Sequence, residues 1–390
     1  MKGKANKRSV LAALLLLLPL LCGCWGGREI DALFIVTGVA LDAAEEQEKL
    51  KVAFQVAKIE AGSGDSGGSS SADSSSILLK TEKDTVTDAI EEFNRSGSRR
   101  IFLHHNQVIL IGRKLAEQGI SEVIDLFMRD QEARLEVPIV VVDGEAEEAL
   151  AVEMPQKKIS GLFLGKLLEL QSAVSIYNRT RVLDFASALL DGSASAVPLA
   201  KVEEEEGEKT LKIEGMAVFQ NGRMTGTLSS EEALGFIWAM GSVVNSGVTV
   251  KEGENKASFI IGELDAKRTL DLRKDGGFSL NVNVHAELTA NELQGFDDLD
   301  PKARTDRLTA LAEDAIRRQI ENTFSKAQAM RADIFEAGAM AKRHMPQKWR
   351  EVQSRWGECF ADMRLSVNVR VTLPNTGKAF ESLRTEEQAS

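Results

Sequence analysis

The sequence predicts an α+β protein, a multi-domain ectodomain of mixed sheets covered by amphipathic helices, behind a lipoprotein signal peptide. Three observations predict it. Alternation of Leu50, Val52, Phe54 and Val56 with Lys51, Ala53, Gln55 and Ala57 is the period of a half-buried strand. Val86, Ala89, Ile90 and Phe93 fall at i, i+3, i+4 and i+7, a helical stripe set between such strands. A composition of 43% hydrophobic and 27% charged residues over 390 positions is that of a globular chain with room for two or three domains.

The first 23 residues stand apart from the fold. Lys2, Lys4, Lys7 and Arg8 precede an apolar run from Val10 to Leu21, interrupted by Pro19. A bilayer span needs about 20 apolar residues, so this shorter run is a secretory signal. Leu21-Cys22-Gly23-Cys24 is the lipobox of bacterial lipoproteins, with leucine three positions before Cys24 and a small residue directly before it. Cys24 is therefore the expected lipidation site and the first residue of the mature chain. Each buried methylene contributes about 0.8 kcal/mol, and two acyl chains hold where one is marginal, so a diacylglyceryl-Cys24 anchors the body to a membrane. No later apolar run approaches a spanning length. Removing residues 1–23 takes four positive charges and no acid from a formal charge of −11, leaving −15. Such a body is a poor ligand for nucleic acid or for a flat bed of anionic lipid.

Residues 24–154 read as an N-terminal α+β domain. Leu33 to Asp42 is a β-branched and apolar strand ended by Gly38, and Leu50–Val56 is the second strand. Residues 61–76, almost wholly Gly, Ser, Ala and Asp, form a flexible insertion. Ile77-Leu78-Leu79 re-enters the sheet. Thr85 with Asp88 caps the helix carrying Val86 to Phe93. Ile101 to Ile111 reads as one strand with His104 and His105 at its start; neighbours on a strand face opposite ways, so the two cannot share a metal. Ser121 caps a helix bearing Val123, Ile124, Phe127 and Met128. Leu135–Val142 is a strand and Glu145–Val152 a helix.

Residues 155–214 read as a mainly helical middle region with a hairpin: Val197–Val202 and Leu211–Ile213 joined through the acidic run 203–206. Residues 215–380 read as a C-terminal α+β domain. It opens with strand Gly215–Phe219 and the tight turn Asn221-Gly222. Ser229 or Ser230 caps the next helix. Strands follow at 246–250, 257–264 and 278–288, then a long helix from Asp300-Pro301, where proline suits the first helical position. Asp333-Ile334-Phe335 opens a shorter helix, Pro346 another that carries Trp349, Val352 and Trp356, and Leu365–Val371 is the last strand. At i, i+7 on one helix, Trp349 and Trp356 read as core rather than as a ligand-stacking face.

Catalytic constellations are absent from the sequence. It has no Gly-rich phosphate loop, HExxH, CxxC or Gly-x-Ser-x-Gly. His104, His105, His285 and His344 lack metal-ligand spacing, and Cys359 stands alone once Cys22 leaves and Cys24 is acylated, which excludes an intramolecular disulfide. No cofactor, metal or enzymatic activity is expected.

Several blocks together resemble the Ger(x)C spore germination lipoproteins, the C subunits of nutrient germinant receptors. Cys24-Trp25, Arg28-Glu29-Ile30 and Val36-Thr37-Gly38 are similar to the family's mature start. Ile109 to Gly112, Leu115-Ala116, Asp125 and Arg129-Asp130 are similar to its N-terminal region. Gly215 to Phe219, Leu228 and Glu231-Glu232 resemble the opening of its C-terminal domain. The closing signature of Asp333, Phe335, Pro346, Trp349 and Trp356 is the most specific part. The chain departs from the family pattern at Gly26 and Gly27, where an acidic residue is common, and in its long insertion. The resemblance implies a lipid-anchored, non-enzymatic subunit on the outer face of the spore inner membrane. It also implies two polytopic membrane subunits as partners and nutrient-triggered germination as the output. The alternative is a solute-binding lipoprotein of a transporter, which would show two lobes of repeated βαβ units; a cell-wall hydrolase would need paired acids or a metal constellation, and the sequence places neither convincingly.

Overall fold

The computed structural model describes residues 30–46, 48–58, 75–154, 158–170, 180–242, 247–296 and 298–374. Cys24, Trp25 and positions 61–74 of the expected insertion lie outside them. A 3₁₀ turn at Ile30–Ala32 leads into β1 (Leu33–Ala43), β2 (Leu50–Ala57), β3 (Ser76–Lys83), α1 (Val86–Ser96) and β4 (Arg100–Phe102). Next come β5 (Ile109–Gly112), α2 (Arg113–Gln118), α3 (Ser121–Arg129), β6 (Ile139–Val142), α4 (Ala146–Ala151), α5 (Ser160–Glu169) and α6 (Val182–Asp191). The hairpin strands are β7 (Ser195–Glu205), β8 (Glu208–Gln220) and β9 (Arg223–Leu228), followed by α7 (Ser230–Met240). The remainder is β10 (Gly247–Glu252), β11 (Asn255–Leu272), β12 (Phe278–Gln294), α8 (Pro301–Ala329), α9 (Ala337–His344), α10 (Pro346–Val352), α11 (Trp356–Ala361) and β13 (Arg364–Thr372).

The described strands make two sheets. One runs β3-β2-β1-β5-β6-β7-β8-β9 with β4 attached to β1; the other runs β10-β11-β12-β13. In the first, β1, β5, β6 and β7 are mutually parallel, as Leu41↔Ile111, Ile111↔Val141 and Val141↔Leu199 show. Parallel strands are normally covered on both faces, and every residue of β5 and β6 is buried here. Apolar residues of α1, α2, α3 and α6 cover one face and those of α4 and α5 the other.

Three devices fix α4 and α5 on that second face. The Asp42 carboxylate at the end of β1 accepts N–H bonds from Ala146 (2.7 Å) and Glu147 (2.9 Å), capping α4 from a distant strand. The buried Gln55 donates to the Leu150 carbonyl at 3.0 Å and accepts from Gly161 N–H at 2.9 Å, with Thr37 and Ser160 completing the network. Gly38 leaves room between them: a Cβ there would stand 2.6 Å from Leu150 Cδ1 and 3.3 Å from Gly161 Cα.

That crowding explains the first departure from expectation. Gly38 does not end β1; the strand continues to Ala43 with a register shift between Val36 and Gly38. β2 is buried on both faces over Val52–Val56 rather than half-buried, because α4 and α5 cover the side its alternation left open. Ile101–Ile111 is broken. Ile35 pairs with Phe102 but Val39 pairs with Ile109, so the register gains three residues, which the turn Leu103–His105 absorbs. His104 and His105 lie exposed on that turn. Ser121 begins α3 after Ile120 and does not cap it. Strand β6 begins only at Ile139, because the carbonyls of Leu135 and Val137 accept from Leu183 and Val182 of α6.

Other local signals hold. Thr85 accepts from Asp88 N–H at 3.1 Å. Asn221 and Gly222 turn β8 into β9 with φ of 51° and 76°, and Asp300 accepts from Lys302 and Ala303 N–H ahead of Pro301. β8 is one strand through residues 214 and 215, where the sequence reading divides the middle region from the C-terminal domain.

In the second sheet, Val282, Val284, Ala286 and Leu288 of β12 face inward to the α8 stripe Leu308, Ala312, Ile316, Ile320, Phe324 and Ala327. α7 joins the sheets. Ser229 and Glu232 form its capping box, and Gly235 crosses α8 so closely that a Cβ would meet the Gln319 carbonyl at 2.1 Å. Trp238, fully buried, donates to Gln319 Oε1 at 2.9 Å.

A cleft lined by the closing signature

Four of the five residues of the closing signature, Asp333, Phe335, Trp349 and Trp356, converge on one assembly. Asp333, only 5% exposed, precedes α9 and supplies the acceptors its first turn lacks. One oxygen accepts from Ala337 N–H at 3.0 Å; the other accepts from Gly338 N–H at 2.6 Å and from the Trp356 indole N–H at 2.9 Å. Burial pushes the Asp333 carboxyl above the usual carboxylate range, and these three donors draw it part of the way back. Gly338 is required at the contact, since a Cβ would stand 2.8 Å from the indole nitrogen.

The rings extend the assembly into the core. Trp356 packs edge-on to Phe278 (5.2 Å) and Trp349 (5.1 Å). Phe335 lies edge-on to Phe324 (5.2 Å) and Phe236 of α7 (6.1 Å), while its carbonyl accepts from Arg268 at 2.7 Å. Pro346 opens α10, but the expected single helix to Trp356 is broken by a 3₁₀ turn at Gln353–Arg355. Trp349 and Trp356 thus stand on successive helices, and their rings meet across the break. Trp356 is core, as expected; Trp349 is only half-buried.

A cleft of about 340 Å³ opens beside this assembly. Asp333, Gly338, Trp349 and Trp356 line one wall with Lys342 and Arg343; Asp191–Ala194 and Gln220 of the first sheet line the other. Gly192, left-handed at φ 70°, ends α6 and turns the chain into β7, with Gln220 donating to its carbonyl. Lys342 Nζ bridges the mouth to Asp191 at 2.8 Å. The sequence reading missed Asp191, Lys342 and Arg343. The run of basic residues from Lys342 was the available signal, whereas Asp191 comes close only through the fold. A second cleft of about 580 Å³, between Lys49, Thr85 and Arg129, involves none of the signature residues. Among the described residues no group of three His, Cys, Asp or Glu side chains could hold a metal, and no helix is long and apolar enough to cross a membrane.

Comparison with known proteins gives the family. Residues 26–202 match the model described as the spore germination protein N-terminal domain. Residues 214–377 match the one described as spore germination B3/GerAC like, C-terminal. The chain belongs to the spore germination proteins. Among relatives from Bacillus subtilis (strain 168), this germination protein is 23% identical to spore germination protein KC over 95% of its own length and 96% of the relative's. It is 27% identical to spore germination protein YndF, over 95% and 98%. It is 22% identical to spore germination protein B3, over 96% and 98%. The crystal structure of the GerBC protein shares the fold, with a TM-score of 0.59 at 18% identity over 87% of this chain and 97% of that one. The matched families are germination proteins and not a known enzyme class. The solute-binding alternative expects two lobes of repeated βαβ units, and the sheet orders described above do not follow that plan.

Proposed function

We propose that this chain is the lipoprotein subunit of a spore nutrient germinant receptor, anchored through diacylglyceryl-Cys24 to the outer face of the spore inner membrane. It works beside two polytopic membrane subunits, and it performs no catalysis of its own. The observation that carries this reading is the match of both germination-family models across nearly the whole mature chain. The lipobox ending at Cys24 supports the anchor, and a fold whose best-built assembly is a buried carboxylate among aromatic rings supports a structural rather than chemical role.

The test is deletion of the gene, followed by germination of purified spores on separate amino acids, sugars and nucleosides. Loss of response to one nutrient class with the others intact is the expected result. Normal germination on every nutrient, in a strain lacking the other receptors as well, would overturn the reading. Cys24→Ala should move the protein from the membrane to the soluble fraction; retention in the membrane would remove the anchor from the proposal.

A further inference from the structure

Lys342 to Arg355 concentrates charge of one sign. The stretch holds Lys342, Arg343, Lys348, Arg350 and Arg355 against a single acid, Glu351, in a mature chain of formal charge −15. Lys342 is bonded to Asp191 at 2.8 Å and Lys348 to Glu351 at 2.9 Å. Arg343, Arg350 and Arg355 are exposed and, among the described residues, make no ion pair. Beside them Trp349 and Met345 are half-buried, and Leu190, next to Asp191, is 86% exposed. Exposed arginines on the stretch that carries Trp349, with a bare leucine next to the Lys342 partner Asp191, match the chemistry of an anionic bilayer surface, which takes cations at its headgroups and apolar side chains just beneath.

The strand register is an independent observation pointing to the same occupant. Because β1, β5, β6 and β7 are parallel, their amino ends share one edge of the first sheet. Ile30 enters at that edge, and the α6–β7 junction that Lys342 touches lies three strands, about 15 Å, to the side, with β1 reaching about 13 Å further out than β7. Only six residues run from Cys24 to Ile30, a reach of at most about 20 Å whatever their path. An acyl group on Cys24 therefore holds this edge close to the bilayer.

We propose that, although the body as a whole is too acidic to lie flat on anionic lipid, the local cationic surface formed by Lys342–Arg355 and Leu190 docks on the anionic phospholipid headgroups of the membrane that carries the Cys24 anchor, and so fixes the tilt of the ectodomain. The proposal rests on the anchored reading above, and its test separates the two. The mature chain carrying Cys24→Ala, which cannot be acylated, is sedimented with vesicles of phosphatidylcholine alone or mixed with phosphatidylglycerol. The expected result is binding only to the phosphatidylglycerol vesicles, lost at high salt as the screening length shrinks from about 10 Å at 0.1 M to about 3 Å at 1 M.

Arg343→Gln, Arg350→Gln and Arg355→Gln together should weaken that binding about a hundredfold. Leu190→Ser should weaken it by a smaller factor. The exposed lysines Lys251, Lys274 and Lys302, changed together to glutamine, should leave it unaltered. All these side chains are exposed, and an unchanged melting curve shows that each variant is folded. Equal binding to both vesicle types, or a triple arginine variant that binds as its parent does, overturns the proposal. Binding to neither type also overturns it and leaves the arginines to an acidic protein surface. Palmitate labelling of the chain with Cys24 intact reports on the anchor by itself, so the anchor can fail while the docking surface stands.

Discussion

Asp333→Ala is the substitution that tests the architecture most directly. It strands the N–H groups of Ala337, Gly338 and Trp356 in a region where Asp333 itself is 5% exposed. A buried donor left without an acceptor costs about 1–3 kcal/mol. Three such donors exceed what is expected overall, because removing the carboxylate also removes the cost of burying its charge. Loss of one partner from a buried charged pair, the nearest measured case, destabilises by about 3–5 kcal/mol, and that is the expected range. For a unit the size of the C-terminal half it corresponds to a fall in melting temperature on the order of 10 °C. Asp333→Asn keeps the shape and one acceptor oxygen but turns an amide group toward a donor, so it should lose about half as much. Urea unfolding of the mature chain, followed by tryptophan emission, gives the ranking, since Trp356 is part of the bonded set. An alanine variant within about 1 kcal/mol of the parent would refute the assignment of Asp333 as the acceptor that organises α9 and Trp356.

Further expectations come from the same structure. Gly235→Ala forces a methyl group against the Gln319 carbonyl and Thr323 hydroxyl and should destabilise by about 1–3 kcal/mol through separation of α7 from α8; a melting curve like the parent's would contradict that crossing. Trp349→Ala, at a half-buried ring beside the cleft, should lose about 1–3 kcal/mol in urea unfolding, less than a fully buried ring; a loss above about 4 would mean that its ring is core. Asp333 also predicts a pH dependence. Folded Asp333 holds its proton more tightly than the unfolded chain, whose ordinary aspartate value is 3.8. Its contribution is therefore greatest below that value and is lost as pH rises through the folded one. The stability gap between the parent and Asp333→Asn should narrow as the pH is raised from below 3.8, and a gap that widens would refute the sign.

Features set by a few adjacent residues were legible in the sequence. Thr85 with Asp88, Asn221-Gly222 and Asp300-Pro301 each act through neighbours two or three positions away, and all three appear as read. The strand Ile101–Ile111 failed for the opposite reason: nothing within it records that its two halves pair with different stretches of β1. β2 looked half-buried because alanine and glutamine alternate with its apolar residues, yet Gln55 is buried with its amide fully used by Leu150, Ser160 and Gly161. At the candidate site, Asp333 and Trp356 were recognisable as a pair of signature residues, but not as hydrogen-bond partners across 23 positions. Lys342 and Arg343 of the cleft rim were visible as charge; their place beside Asp191 required the fold.

α7 belongs to both sheets at once. Its Ala233, Phe236, Ile237, Trp238 and Ala239 are buried in one continuous apolar cluster that contains Met216, Val218 and Leu228 of the first sheet and Val282, Val284 and Leu288 of the second. Parting the sheets beyond the cleft at their rim would expose at least the phenylalanine, isoleucine and tryptophan, each worth about 1.5–3 kcal/mol buried. The molecule therefore has no inexpensive hinge at its middle. A push delivered at the closing helices is carried by α7 into the first sheet through one packed cluster, so the two sheets move as a single body.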